Sequence, residues 1–263
     1  NRQLRPFEDE CLARGIRYKL IGKCGFWQRP EILDLLAFCR IVEDPLDDVA
    51  FSRILLSPYP CSRYLGRATL AVLHRPYLPS LALGFDHKEL KSFHRDALCR
   101  LHGFLTDLRR TALNSKGTGD VVYNIVDLSD MESYYRAEGG DDGDNFAAEN
   151  ISEAIAAARR FRSLADFIAH AKRAEHAARS GTGLTLSTIH GAKGKEWTTV
   201  YVAGCSDGLL PHKRGDWEEE RRVFYVACSR AAKRLVLTWH GNPSALIPSI
   251  SGAKVAFAGT ENP

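Results

Sequence analysis

Between Leu184 and Trp239 the chain gathers side chains suited to meeting anions. Thr188, His190, Lys193, Lys195 and Glu196 stand close together, and Arg230 follows near the end of the charged run that begins at Glu218. A hydroxyl and an imidazole can meet phosphate, sugar or the face of a base. Glu196 can accept hydrogen bonds from ribose hydroxyls, or it can form an ion pair with Lys193 or Lys195. Arg230 is always charged and donates in a fork, which suits phosphoryl oxygens. It also suits the bland role of a surface cation favouring the C-terminal dipole of a helix.

These side chains need elements to hold them. Leu184-Thr185-Leu186-Ser187 and the β-branched run Thr198-Thr199-Val200-Tyr201-Val202 read as strands around a polar loop, with Ala192-Lys193-Gly194 as its turn. Asp216 and Glu219 predict a capping box, and Val223, Phe224, Val226 and Ala227 give the helix that follows a packed face. Arg230 falls at its far end, before a further strand over Leu235–Trp239. Strand ends and helix termini are where α/β proteins carry ligand sites.

The segments Thr188–Trp197 and Glu218–Ala231 resemble motifs V and VI of the UvrD/Rep/PcrA family of superfamily 1 DNA helicases. The family writes them roughly as T-[LI]-H-x-A-K-G-L-E-[FW] and E-E-E-R-R-x-x-Y-V-x-x-[ST]-R-A. Gly191 and Lys195 depart from the usual Ser and Leu; the first is expected to loosen a loop contact to nucleic acid, and the second adds a charge at a normally apolar point. The opening resembles the family too, in Asn1 and Arg5, Gly15-Ile16-Arg17-Tyr18, Gly22, Phe26, Arg29, Glu31-Ile32 and Asp34-Leu35.

The resemblance implies an α/β fold: a RecA-like parallel sheet domain of the P-loop NTPase type, split by an inserted all-helical domain. The sheet domain is expected over residues 1–65 and 184–250, the helical insertion over 66–183, and a tail over 251–263. By the same resemblance Arg230 is the arginine finger, and Glu196 and Gly194 belong with it to the nucleotide side. Thr188, His190 and Lys193, with Asn1 and Arg5, belong to the DNA side. Arg221 and Arg222 are read as structural.

Composition sets the outer limits. With 263 residues the chain can bury a real core, and a net charge of +4 does not by itself argue for nucleic acid. Seven scattered cysteines, none in a CxxC pair, support neither a zinc ribbon nor a disulfide framework and read as small buried hydrophobes. No signal-peptide pattern or apolar run of membrane length is present, so a reducing cytoplasm is expected and a membrane partner is not.

Along the chain, Leu4, Phe7, Cys11 and Leu12 predict a helix stopped by Gly15, and Ile16, Tyr18 and Leu20 a strand. Pro30 opens a helix with Ile32, Leu35, Leu36, Cys39 and Val42 on its apolar face, and Asp47 caps a short one. Asp86–Leu113 reads as one long amphipathic helix with many basic residues on its outer face, either solvated or tracking phosphates. Shorter helices are expected near 121–128 and 151–161. An acidic loop separates them, and Ser163 opens another helix running to about Ala178.

No G-x-x-x-x-G-K-[ST] loop and no paired acidic box occur in the sequence. The resemblance implies ATP and Mg²⁺ as cofactors, so the phosphate cradle and metal ligands are expected on an upstream RecA-like half. The expected partners are that half, single-stranded DNA, junctions of single- and double-stranded DNA, and DNA-repair proteins. The implied activity is ATP-driven 3′ to 5′ translocation with duplex unwinding. Two other readings stay open: the helicase portion of a RecB/AddA-type recombination nuclease, and a non-catalytic interaction module.

Overall fold

The computed structural model describes residues 4–21, 25–82, 90–138, 146–179, 183–213 and 215–247. Asn1, the turn around Gly22–Cys24, the expected helix start at Asp86, the acidic loop at 139–145 and the tail from 251 lie outside the described residues. In order the elements are α1 (Leu4–Ala13), β1 (Tyr18–Ile21), α2 (Pro30–Glu43), α3 (Asp48–Leu55), α4 (Arg67–Ala71), α5 (Tyr77–Ala82) and α6 (Ser92–Leu113). Then come α7 (Thr118–Ser129), α8 (Met131–Glu138), α9 (Phe146–Ala158), α10 (Leu164–Arg179), β2 (Leu184–Ser187), β3 (Trp197–Ala203), α11 (Trp217–Cys228) and β4 (Ala231–Thr238).

Local chemistry sets many of these boundaries. Gly15 takes a left-handed φ of +64° just past α1, a conformation that costs glycine little. Pro30 occupies the first turn of α2, where its missing N–H is not needed. Asp47 Oδ1 accepts from Ala50 N at 3.0 Å to cap α3, and Ser163 Oγ accepts from Asp166 N at 3.1 Å at the start of α10.

Contacts divide the chain into two compact units: Asn1–Lys19 with Cys24–Leu184, and Leu20–Lys23 with Thr185–Pro263. The first is built around α2, which packs against α3, α6, α7, α9 and α10. Ile32, Leu35, Phe38, Cys39 and Ile41 of α2 are all buried, so this helix has apolar contacts nearly all round. Its core continues through Leu98, Leu101 and Leu105 of α6, Val122 and Ile125 of α7, Ile151 of α9 and Phe167 of α10. No strand lies between 66 and 183 among the described residues, as expected. Packing does not divide at residue 65, however, because α2 and α3 share the core of the later helices. A helix with apolar side chains on every side is stable only at the centre of a bundle.

Buried charge also ties this unit together. Arg5 of α1, 6% exposed, pairs with Glu153 of α9 at 2.8 Å and Asp9 at 3.4 Å, and lies over the Phe26 ring. Asp9 in turn meets His170 Nε2 of α10 at 3.0 Å. Asp34 accepts from Arg53 Nε at 2.6 Å and Tyr59 Oη at 2.8 Å, and burial beside that carboxylate pushes the Tyr59 hydroxyl far up.

The second unit is an α/β arrangement. β3 and β4 pair in parallel, with Val200 opposite Leu235, Tyr201 opposite Val236 and Val202 opposite Leu237. A parallel pair needs a crossover, and α11 supplies it. Val202, Cys205, Leu210, Phe224, Ala227 and Leu246 form the core. β1 pairs with β2, so the strands of the described residues fall in two two-stranded sheets rather than one continuous sheet.

Candidate functional site

The loop from Thr188 to Glu196 is closed by its own backbone. Thr188 Oγ1 accepts from Gly191 N at 3.1 Å, Ala192 N donates to Thr188 O at 3.0 Å, and Lys195 N donates to Ala192 O at 3.1 Å. The threonine hydroxyl thus organises the turn, as Ser and Thr often do at loop starts. Gly194 leaves the turn at φ +78°, a left-handed conformation that favours glycine. His190, Lys193, Lys195 and Glu196 are exposed. Among the described residues no ion pair joins Glu196 to Lys193 or Lys195.

Gly191 is needed for space rather than for φ. A Cβ there would lie 2.8 Å from Ser187 Oγ and 3.0 Å from the Ile21 carbonyl oxygen. Ser187 Oγ itself donates to Ile21 O at 3.3 Å or to Thr188 O at 2.9 Å. The loop is therefore pressed against its neighbouring strand at Gly191. Glycine therefore permits a close backbone approach at this point. Lys195 is exposed, so the charge it adds is not buried.

α11 opens with one half of the expected capping box, Asp216 Oδ1 accepting from Glu219 N at 3.0 Å. Glu219 turns to Arg222 at 3.4 Å, and Glu218 pairs with Arg221 at 2.8 Å. Both pairs are exposed and on one helix face, where such contacts are worth little. Phe224 and Ala227 are buried, and Val223 and Cys228 pack against the same core. Burial pushes the thiols of Cys205 and Cys228 up to about 11, so both behave as small apolar side chains. Cys99, by contrast, is exposed.

Arg230 is where the two motif segments meet. Its Nε donates to Val226 O at 3.0 Å, Nη1 to Lys195 O at 3.0 Å and Nη2 to Ser229 Oγ at 2.9 Å. Its carbonyl accepts from Trp197 N at 2.9 Å, which starts the pairing of β4 with β3. A guanidinium has five N–H groups. These bonds use one on each nitrogen, leaving one on Nη1 and one on Nη2. The side chain therefore completes a helix C-terminus, as its bland role requires, and still keeps a charged pair of donors.

Of the other expected site residues, Asn1 lies outside the described residues and Arg5 is internal. A phosphate at Arg5 would have to displace Glu153 and Asp9 from a buried guanidinium. Thr188, His190, Lys193, Gly194, Glu196 and Arg230 all fall in the second unit. Sequence reasoning missed Ser229 and the Lys195 carbonyl. The hydroxyl beside the arginine was visible, but the carbonyl contact has no side-chain signal. On the basic face of α6, Arg109 is partly turned inward, its Nε donating to Val42 O at 3.3 Å, while Arg110 is exposed and pairs with Asp107 at 2.9 Å. Among the described residues no group of three or more His, Cys, Asp or Glu is placed to hold a metal ion, and no helix is long and apolar enough to cross a membrane.

Residues 1–84 and 82–242 match the UvrD-like helicase C-terminal domain. The chain is similar to DNA helicase II of Escherichia coli (strain K12), 29% identical over 91% of this chain and 36% of that protein. It is similar also to ATP-dependent DNA helicase PcrA of Bacillus subtilis (strain 168), at 27% over 90% of this chain and 35% of the relative. DNA helicase II of Rickettsia typhi is 31% identical over 90% of this chain and 38% of its own length. The chain thus spans a little over a third of the relatives it matches. On the two motif segments, the opening segment and this match, the chain belongs to the UvrD-like helicase C-terminal domain family.

Proposed function

We propose that this chain is the C-terminal part of an ATP-dependent DNA helicase that moves 3′ to 5′ on single-stranded DNA and separates duplex ahead of it. In this reading Arg230 is the arginine finger, and Glu196 and Gly194 lie on the nucleotide side. Thr188, His190 and Lys193 line the DNA path. Asn1 and Arg5, in the opening segment, are the weaker candidates, because Arg5 is already held by carboxylates. ATP and Mg²⁺ are held chiefly by an upstream RecA-like half, since this chain has neither a P-loop sequence nor, among the described residues, a cluster suited to a metal. Partners are that half, single-stranded DNA and its junctions with duplex, and DNA-repair proteins, in the cytoplasm.

The domain reading is part of the same proposal. A second RecA-like domain comprises the opening segment and residues 184–250, interrupted by an all-helical insertion. The first boundary was expected at 65/66. Burial of α2 and α3 in the core of α6, α7, α9 and α10, and the pairing of Arg5 in α1 with Glu153 in α9, set the residues before 65 with the later helices in packing.

One observation carries the functional reading: the guanidinium of Arg230 is fixed by three acceptors while a charged N–H remains on each terminal nitrogen. A rigid cation with donors to spare is what stabilising charge on a transferring phosphoryl group requires. The test is steady-state ATPase of the full-length protein with saturating single-stranded DNA. Arg230→Ala is expected to lower turnover by about a thousandfold, as for other fingers, with a much smaller change in nucleotide affinity. Near-normal turnover would show the site to be misassigned.

A further inference from the structure

Among the three acceptors that hold Arg230, two are backbone carbonyls and one is a side chain. Ser229 is the C-cap of α11, and its backbone is fixed by a hydrogen bond from its N–H to Tyr225 O at 2.9 Å. Its hydroxyl donates to Val226 O at 3.0 Å. A hydroxyl has a single proton, so with that proton committed Ser229 can offer Arg230 only a lone pair. It accepts from Nη2 at 2.9 Å, while Nε of the same guanidinium reaches the same Val226 carbonyl at 3.0 Å. The serine hydroxyl, the carbonyl and two guanidinium nitrogens therefore close a ring of hydrogen bonds at the helix end. A long arginine side chain has many rotamers, and this ring selects one.

We propose that Ser229 is a positioning residue: its hydroxyl orients the Arg230 guanidinium so that the remaining N–H groups face the nucleotide. The inference rests on the reading of Arg230 given above. Loss of the hydroxyl leaves the cation on its two carbonyls but removes the anchor on Nη2, so the plane of the guanidinium is held less firmly. An interaction needed most in the transition state is then weakened, while ground-state binding of nucleotide changes little.

The test uses the full-length protein, with turnover and KM for ATP measured at saturating single-stranded DNA. Ser229→Ala is expected to lower kcat by about tenfold to a hundredfold, the loss of one hydrogen bond to a charged group, with KM within about twofold. Ser229→Thr keeps the hydroxyl and is expected to recover most of the turnover. Wild-type turnover in Ser229→Ala alongside a strongly impaired Arg230→Ala overturns the role of Ser229 and leaves that of Arg230 standing. Equal losses in the Ala and Thr variants overturn it too, because bulk rather than the hydroxyl would then matter. Near-normal turnover in Arg230→Ala removes the reading beneath both. If Ser229→Ala lowers the thermal midpoint, Ser229→Cys carries the test, being close in size but a poor acceptor. In Ser229→Cys a loss of about tenfold at a native midpoint supports the proposal, and wild-type turnover overturns it.

Discussion

Replacing Glu8 by Gln should stabilise this protein at neutral and alkaline pH. Glu8 sits on α1 at 2% exposure, beside Asp9 and within 3.4 Å of the Tyr18 hydroxyl. Burial raises its carboxyl from the usual 4.5 to about 7. The Asp9 charge adds to the rise, while hydrogen bonds from the Phe26 backbone and Tyr18 and the charge of Arg29 oppose it. The folded protein therefore keeps a proton that the unfolded chain has already released. A raised folded pKa means a contribution that is fully present below about 4.5, falls as pH rises, and is lost once pH has passed through about 7. At roughly 1.4 kcal/mol per pH unit, the swing is on the order of 3 kcal/mol. Glutamine has the same shape and no charge to desolvate. The variant should match the wild type near pH 4.5 and exceed it by on the order of 2–3 kcal/mol at pH 8. Urea unfolding at both pH values measures this, because comparing the two proteins cancels every group they share. A gap that stays constant with pH, or that favours the wild type at pH 8, would refute the reasoning.

Further outcomes are expected. Gly191→Ala should destabilise the loop by about 1–2 kcal/mol, because the new Cβ meets Ser187 Oγ at 2.8 Å and Ile21 O at 3.0 Å; adding Ser187→Ala should restore part of it in denaturant unfolding. Asp216→Ala should cost about 1 kcal/mol by removing the cap on Glu219 N, seen as a lower thermal midpoint. The isolated chain should bind labelled single-stranded oligonucleotides weakly and less tightly as salt rises, with His190→Ala weaker still; tight, salt-independent binding to duplex would contradict the assignment of the loop. It should hydrolyse no ATP by itself, and in the full-length protein Arg230→Lys should recover little of what Arg230→Ala loses, since an ammonium lacks the planar fork.

Legibility in the sequence followed how local each cause was. Caps were readable from single residues: Asp47, Ser163 and Asp216 each accept the backbone N–H that their position predicts. The strand, loop and strand around His190 and the helix before Arg230 were readable from pattern, although β4 starts at Ala231 instead of Leu235. The face of α1 was not readable. Periodicity pointed to Leu4, Phe7, Cys11 and Leu12, yet the buried residues are Arg5, Glu8 and Cys11, while Phe7 is exposed. Charged residues go inside there because Glu153, far along the chain, pairs with Arg5 and the Tyr18 hydroxyl meets Glu8. The place of α2 was hidden for a related reason: its apolar stripe named one face, and only its neighbours show that Phe38 and Ile41 are covered as well. At the candidate site the side chains could be named in advance, but the carbonyls that hold Arg230 could not.

That last point bears on which changes this protein can absorb. The support that position 195 gives to Arg230 comes from a peptide oxygen, which all twenty amino acids carry. Swapping the side chain leaves it intact, so a lysine can stand where relatives of the family usually have leucine, and an alanine scan would pass over the position in silence. Replacing the amide by an ester at the Lys195–Glu196 linkage weakens that oxygen as an acceptor without altering either side chain. It would expose a dependence that conventional mutagenesis is blind to.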